Sequence, residues 1–406
     1  MVISIFKSLQ HRNFRLYYYG QLISLNGTWM QNVAQAWLVY RLTESSFMLG
    51  LTSFIGLAPV LLFSLWGGVL ADHVNRHRLL MIAYGAGMIQ AIVLGVLTLT
   101  GLVEAWHVLV LAALLGLIHA MEMPTRHSFL SDIVSREDLS NAIALNASAF
   151  NIARFAGPSV AGILIASVGE GPVFIINALS FLAVIYNLNR MILPEFRHKK
   201  SHGSAFSRIR EGLGFAWHHK AIRSSLIFLS VFSIVGTSLT VLMPVFASEI
   251  FHGGSEVLGL LLGSMGIGAL AGALTLAYRA SHEKLHWQIG VAGVVAGLCL
   301  ILFPLNSRLL LAVPVLVVLG YCQTILAAST NTLIQSSVSD ALRGRVMSVF
   351  STVFIGFMPI GSILSGFIAD RIGVIYTIYI LGVISLCAAV IYLLKNRTWT
   401  TEYSNG

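Results

Sequence analysis

The sequence predicts an all-α polytopic membrane protein of twelve transmembrane helices, arranged as two pseudo-symmetric six-helix bundles. Three observations carry that expectation. The first is composition: of 406 residues, 56% are hydrophobic and only 10% charged, whereas soluble domains devote roughly a quarter of their residues to charge. The second is segmentation. Cutting the chain at its polar loops leaves twelve apolar stretches, each close to the roughly 20 residues that a helix needs to cross a bilayer. The third is an internal repeat, because an offset of 204 lays Val134 on Val338, Ser135 on Ser339, Phe150 on Phe354, Gly157 on Gly361, Gly162 on Gly366 and Gly169 on Gly373.

In chain order the predicted spans fall near 14–40, 47–71, 79–100, 107–130, 141–168 and 172–192, then 222–250, 257–278, 286–304, 308–335, 346–369 and 373–394. Residues 1–192 form the first bundle and 222–406 the second. Between them, 193–221 is a cytoplasmic linker holding the basic run His198-Lys199-Lys200-Ser201-His202 and then Phe206, Ile209, Leu213 and Trp217 at helical spacing. That spacing predicts an amphipathic helix lying on the membrane face, in contact with lipid. The segment before Arg15 has amphipathic character but no apolar core followed by a cleavage site, so it does not read as a signal peptide.

The net charge is +9, which by itself would suit a nucleic-acid binder; its distribution argues otherwise. Twenty of the 25 Lys and Arg residues fall on one side of a twelve-span topology, against Arg41, Arg308 and Arg371 on the other. Such asymmetry is the positive-inside rule, and it places both termini in the cytoplasm. Cys299, Cys322 and Cys387 lie within apolar stretches without metal-type spacing and read as small buried hydrophobes. No metal site or cofactor is expected. A nucleotide-binding Gly-x-x-x-x-Gly-Lys-Ser/Thr loop is also lacking from the sequence, which argues against an ATP-driven pump.

Between the second and third spans stands Gly68-Val-Leu-Ala-Asp72-His-Val-Asn-Arg76-His-Arg78. A charged hairpin of this kind cannot lie in hydrocarbon and must sit at a bilayer surface. It resembles the signature loop of the major facilitator superfamily, Gly-x-x-x-Asp-Arg-x-Gly-Arg-Arg, with His73 and Asn75 in place of an Arg and the Gly. In the fifth span, Gly157-Pro158-Ser159-Val160-Ala161-Gly162 resembles the Gly-Pro-x-x-Gly-Gly motif of proton-antiporting exporters, with Ala161 for one glycine. Gly27-Thr-Trp29-Met-Gln31, Pro124-Thr125-Arg126, the run from Arg136 to Asn146, Ala153-Arg154 and Arg343-Gly-Arg345 extend the similarity over nearly the whole chain, to the branch containing the enterobactin exporter and macrolide efflux proteins. The resemblance implies the major facilitator fold and secondary transport by alternating access. It also implies that Gly68, Asp72, Arg76 and Arg78 form a conformational latch, Asp72 facing Arg76 and the end of the eleventh span, and that Arg136, Glu137, Asp138, Arg343 and Arg345 are matching clasps on the inner surface.

Ionisable residues inside spans are costly and therefore point to function. Glu122, Arg126 and Arg154 qualify, with His119 as a titratable companion. His119, Glu122 and Arg126 share one face of the fourth span. Glu122 is the proton-coupling candidate, a carboxylate between Arg126 or Arg154 and a hydrated cavity; a permanently paired structural salt bridge is the alternative. Asn26, Gln31, Asn32 and Gln35 in the first span, Thr237 and Thr240 in the seventh, and Gln323, Asn331 and Gln335 in the tenth mark a polar cavity, with Trp29, Trp37 and Phe150 as flat apolar contacts.

The expected protein is a monomeric transporter of the bacterial cytoplasmic (inner) membrane, not an enzyme, exporting a small amphiphilic compound, drug-like or a siderophore, in exchange for protons. A lipid flippase or a small-metabolite importer of the same fold, or a non-transporting scaffold, are the rival readings. His127 and Asp132 have the His-x-x-x-x-Asp spacing of glycerolipid acyltransferases, a short match at a span end without a phosphate-binding partner.

Overall fold

The computed structural model describes residues 7–193, 205–278 and 284–396, and these are almost wholly helical. After a 3-10 turn at Lys7–Gln10 come α1 (Arg12–Thr43), α2 (Ser46–His73), α3 (Arg76–Leu99), α4 (Ala105–Ile133), α5 (Leu139–Val168) and α6 (Glu170–Asn189). The short α7 (Ala205–His218) precedes α8 (Lys220–Val245), α9 (Ser255–Tyr278), α10 (Leu285–Leu302), α11 (Leu309–Ser336), α12 (Asp340–Ile372) and α13 (Val374–Asn396). Among the described residues, twelve helices are thus of spanning length, but only 11 are also apolar enough to cross a membrane. The exception is α1, whose 32 residues include Asn13, Arg15, Gln21, Asn26, Gln31, Asn32, Gln35 and Arg41. Gln21, Gln31 and Arg41 bond to neighbouring helices, so length and packing rather than hydropathy make it a span.

The long helices turn apolar side chains outward: Trp66 is 71% exposed, Ile163 66% and Leu310 83%. This inversion of soluble-protein patterning fits a hydrocarbon surround, and backbone polar groups are satisfied within each helix. Cys299 and Cys322 are buried as expected, but Cys387 is exposed on α13; its helix face carries Val383 and Ile384, also exposed, and needs no protein cover in lipid.

Two compact units emerge. One comprises Met1–Glu44, Ile55–His202 and Gly254–Gly263; the other comprises Ser45–Phe54, Gly203–Gly253 and Ser264–Gly406. In the first, α6 packs on α1 and α3, α5 on α1, and α4 on α3; in the second, α13 packs on α8 and α10, α12 on α8, and α11 on α10. The helix pairs of one repeat thus recur in the other. Gly169 and Gly373 end α5 and α12 alike, with φ of +82° and +86° that a side chain would strain. Within the first unit Gly162 faces Gly259, a Cβ on the former falling 2.8 Å from the latter's Cα; within the second, Gly366 faces Gly50 at 2.9 Å. Those contacts carry the starts of α9 and α2 into units otherwise built from other segments.

The amphipathic linker helix forms as α7. Leu213 and Trp217 stay exposed on it, Ala216 is buried, and α7 packs on α12, whose Arg345 pairs with Glu211. The basic run from His198 to His202 lies outside the described residues.

Candidate functional site

Three helices of the first unit build a buried polar cluster around Glu122. On α4, His119, Glu122 and Arg126 follow at intervals of three and four and share a face, as the spacing predicts. Glu122 and Arg126 are each only 6% exposed. The Arg126 Nε stands 3.1 Å from Glu122 Oε1, an ionic contact without hydrogen-bond alignment. His119 Nδ1 lies 3.8 Å from Glu122 Oε2. From α3, the Tyr84 hydroxyl donates to Glu122 Oε1 at 3.1 Å and accepts from Gln21 Nε2 of α1. Gln21 also receives Arg126 Nη1 at 3.4 Å. The fully enclosed Tyr17 hydroxyl nearby has no hydrogen-bond partner among the described residues. Desolvated, one positive and one negative group cancel here, and an uncharged hydroxyl and amide complete the shell.

Sequence reasoning located the α4 face but missed Tyr84, Gln21 and Tyr17. Their signal was present: single polar groups recurring in apolar spans. It became legible only when three helices met. Arg154, expected beside Glu122, does not join the cluster; it is half-buried midway along α5, with no ion-pair or hydrogen-bond partner among the described residues.

The proposed cavity residues divide. Gln31 is fully buried and its amide is spent, Nε2 donating to Gln90 at 3.0 Å and Oε1 accepting from Asn177 at 2.7 Å; it ties α1 to α3 and α6 rather than facing a solute. Asn26 donates to the Leu22 carbonyl at 2.7 Å, and Thr237 to that of Ser233 at 2.9 Å. Asn32 is exposed, Gln35 has a buried carbonyl oxygen without a partner, and Gln323 and Asn331 are half-buried. Gln335 donates to Asn331. Trp29 and Phe150 meet edge to face, centroids 5.7 Å apart. Their contact rests on Gly157, whose place a Cβ would fill 2.6 Å from that of Trp29; Pro158 and Ala161 are buried and α5 runs through them unbroken.

At the loop between α2 and α3, Arg76 donates to both Asp132 oxygens at 2.9 Å and to the Ala71 and Ser128 carbonyls at 3.1 and 3.3 Å. Asp132 therefore has an anchoring task, which removes it from the acyltransferase reading. Helix α3 is capped by Asn75, whose Oδ1 accepts from the Arg78 backbone N–H at 3.2 Å; the Arg78 side chain is exposed. A Cβ on Gly68 meets nothing nearer than Pro124 at 4.0 Å, whereas one on Gly67 falls 2.3 Å from the Ala120 carbonyl. The inner-surface clasps also differ from expectation. Asp138 binds Lys7 and His11, each at 2.8 Å, and Arg345 binds α7. In the second unit Tyr392 joins Ser225 and His286, each at 3.0 Å, a cluster that span segmentation alone did not single out.

Comparison with known proteins agrees with this architecture. A family model described as transmembrane secretion effector matches residues 3–405. The Staphyloferrin A transporter of Staphylococcus aureus is 26% identical over 377 residues, covering 91% of this chain and 93% of that protein. Macrolide efflux protein A of Streptococcus pyogenes is 23% identical over 399 residues, covering 96% and 98%, and the multidrug efflux pump Tap of Mycobacterium tuberculosis 28% over 389, covering 92% and 91%. Among solved structures, a bacterial homologue of the human lysosomal transporter Spinster, inward-facing and occupied, superposes with a TM-score of 0.76 at 15% identity over 96% of this chain and 97% of that one. The nucleoside transporter NupG gives 0.70 at 14% over 95% and 98%; these two establish the shared fold. The chain therefore belongs to the transmembrane secretion effector family, a branch of the major facilitator superfamily, and is a multi-pass membrane transporter of small molecules rather than an enzyme.

Proposed function

We propose that this transporter exports an amphiphilic compound, drug-like or a siderophore, from the bacterial cytoplasm in exchange for protons, with Glu122 as the coupling carboxylate. The observation that carries this reading is the Glu122 cluster: an acid buried in a spanning helix, held by one arginine and one tyrosine hydroxyl, with a histidine, its side chain 25% exposed, 3.8 Å away. A proton delivered to Glu122 cancels its attraction for Arg126. The guanidinium then needs another acceptor and Tyr84 another partner, so protonation favours a different arrangement of α1, α3 and α4. His119 is the group through which the proton reaches the carboxylate. The names of the relatives support export of siderophores, macrolides or other drugs as the substrate range.

In this reading residues 1–192 and 222–406 work as two six-helix bundles joined by a cytoplasmic segment, both termini lie inside, and the monomer is the working unit. Gly68, Asp72, Arg76 and Arg78 act as the latch, its fixed point being Arg76 on Asp132. The small surface of Gly157, Pro158, Ala161 and Gly162 lets neighbouring helices approach, and Asn26, Trp29, Asn32, Gln35, Thr237, Gln323 and Asn331 supply the solute's polar and aromatic contacts.

Efflux from energised cells lacking their own pumps tests this, using fluorescent cations, macrolides and siderophores with and without a protonophore. Protonophore-sensitive export that disappears in Glu122→Gln, while the variant still inserts, is the expected result. Export that survives in Glu122→Gln moves coupling elsewhere; uptake in place of export, or no flux of any solute, overturns the export reading.

A further inference from the structure

The charges inside the spans do not balance. Of the 16 acidic residues, Glu122 alone lies more than a turn from the end of a described spanning helix, and its partners are Arg126, Tyr84 and His119. Arg154 sits near the centre of α5, roughly 22 Å along the axis from Leu139 at about 1.5 Å per residue. The acids nearest to the ends of α2, α4 and α12 are therefore out of its reach. A guanidinium at this depth is retained against a substantial desolvation penalty, and it needs a counter-charge that the described residues do not provide. It is largely covered by protein but not fully enclosed.

Its surroundings indicate what supplies that charge. Asn146, Phe150 and Arg154 recur every four residues and form one stripe of α5. Phe150 is 36% exposed and carries the Trp29 ring against it; the Asn146 Oδ1 is buried without a partner. The adjoining side of α5, Ala149 and Ala153, is closed against Leu25 of α1, and Trp29 packs at the edge of that contact. An arginine fork matches a carboxylate in two parallel hydrogen bonds, and the neighbouring rings offer a flat apolar bed. One unneutralised positive charge matches one negative group; a phosphate dianion would leave a charge stranded.

We propose that Arg154 is an anion-binding element, taking a carboxylate of an amphiphilic solute whose apolar body lies on the Phe150–Trp29 pair. This narrows the substrate class and rests on the export reading only for the direction in which the solute moves.

The test uses the purified full chain in phosphatidylcholine nanodiscs, titrated with the fluorescent carboxylate 4-(1-pyrenyl)butyrate and with its methyl ester, each corrected for partition into empty discs. Wild type is expected to hold the acid at least about tenfold more tightly than the ester, the scale of a charge-assisted hydrogen bond. Arg154→Gln should bring the two to parity with ester affinity unchanged, which also reports a folded variant, and Arg154→Lys should keep part of the preference. Absence of a preference in wild type, or its persistence in Arg154→Gln, overturns the proposal. So does displacement of the acid when phosphatidylglycerol is included in the discs, because a lipid headgroup is then the occupant. Protonophore-sensitive efflux in cells is measured separately: its loss removes the export reading and leaves the binding result standing, while acid binding indifferent to Arg154 removes the anion site and leaves export standing.

Discussion

At the scale of single residues, position within the membrane separates groups that look alike in sequence. Glu122 and Asp138 are both acids beside cations, but Asp138 stands just before α5, outside the span, where Lys7 and then His11 hold its carboxyl below the usual carboxylate range, and it in turn raises Lys7. A depressed acid contributes stability above its unfolded value, near 3.9, and loses it as pH falls through the folded value. The tie between the N-terminal turn and α5 should therefore be intact at neutral pH and released only in acid. Amide hydrogen exchange at Ser8 to His11 should show protection that is steady down to about pH 4 and falls below it, and that is already lost at neutral pH in Asp138→Asn. At Glu122 the test is packing. Tyr84→Phe removes the one hydroxyl donor and leaves both a buried carboxylate and Gln21 short of a partner, at a cost of about 1–3 kcal/mol; a melt in detergent unchanged from wild type would mean that the cluster is not formed in the membrane.

At the scale of helices, backbone approach decides what a motif glycine does. The α2–α4 seam closes where Gly116 meets the Gly56 carbonyl, at 2.3 Å for an added Cβ, and where Gly67 meets Ala120. Gly67→Ala must push two backbones apart and should cost about 1–3 kcal/mol, whereas Gly68→Ala makes only ordinary contact and should melt as wild type does. Equal effects of the two substitutions would contradict this seam. That distinction lay beyond motif reading, since Gly68 carries the family pattern while its neighbour carries the contact. The four-residue spacing along α4 was legible because both partners share one helix; Tyr84 and Gln21 come from helices whose mutual rotation no linear pattern encodes.

At the scale of the whole molecule, the repeat organises both units, so that α1–α5 and α1–α6 contacts return as α8–α12 and α8–α13. Hydropathy alone recovers 11 spans, and α1 becomes a span because Gln21 and Gln31 find partners on α3, α4 and α6. Topology is open to labelling. In a background lacking Cys299, Cys322 and Cys387, cysteines replacing Ser135 and Ser337 should react with an impermeant maleimide only in inside-out vesicles, and those replacing Gly253 and Ser307 only in intact cells; the reverse pattern would invert the assigned orientation.

Composition, span length and the 204-residue offset by themselves determined a helical membrane protein built from two related halves, because lipid permits few ways to satisfy a backbone. The same linear patterns identified the charged face of α4. Only the tertiary structure decided that Arg126, and not Arg154, neutralises Glu122, that Arg76 rests on Asp132, and that Gln31 is a strut. The reason is geometric: which side chains meet depends on how far each helix is rotated about its axis, and close approach at glycines such as Gly67, Gly157 and Gly162 sets that rotation.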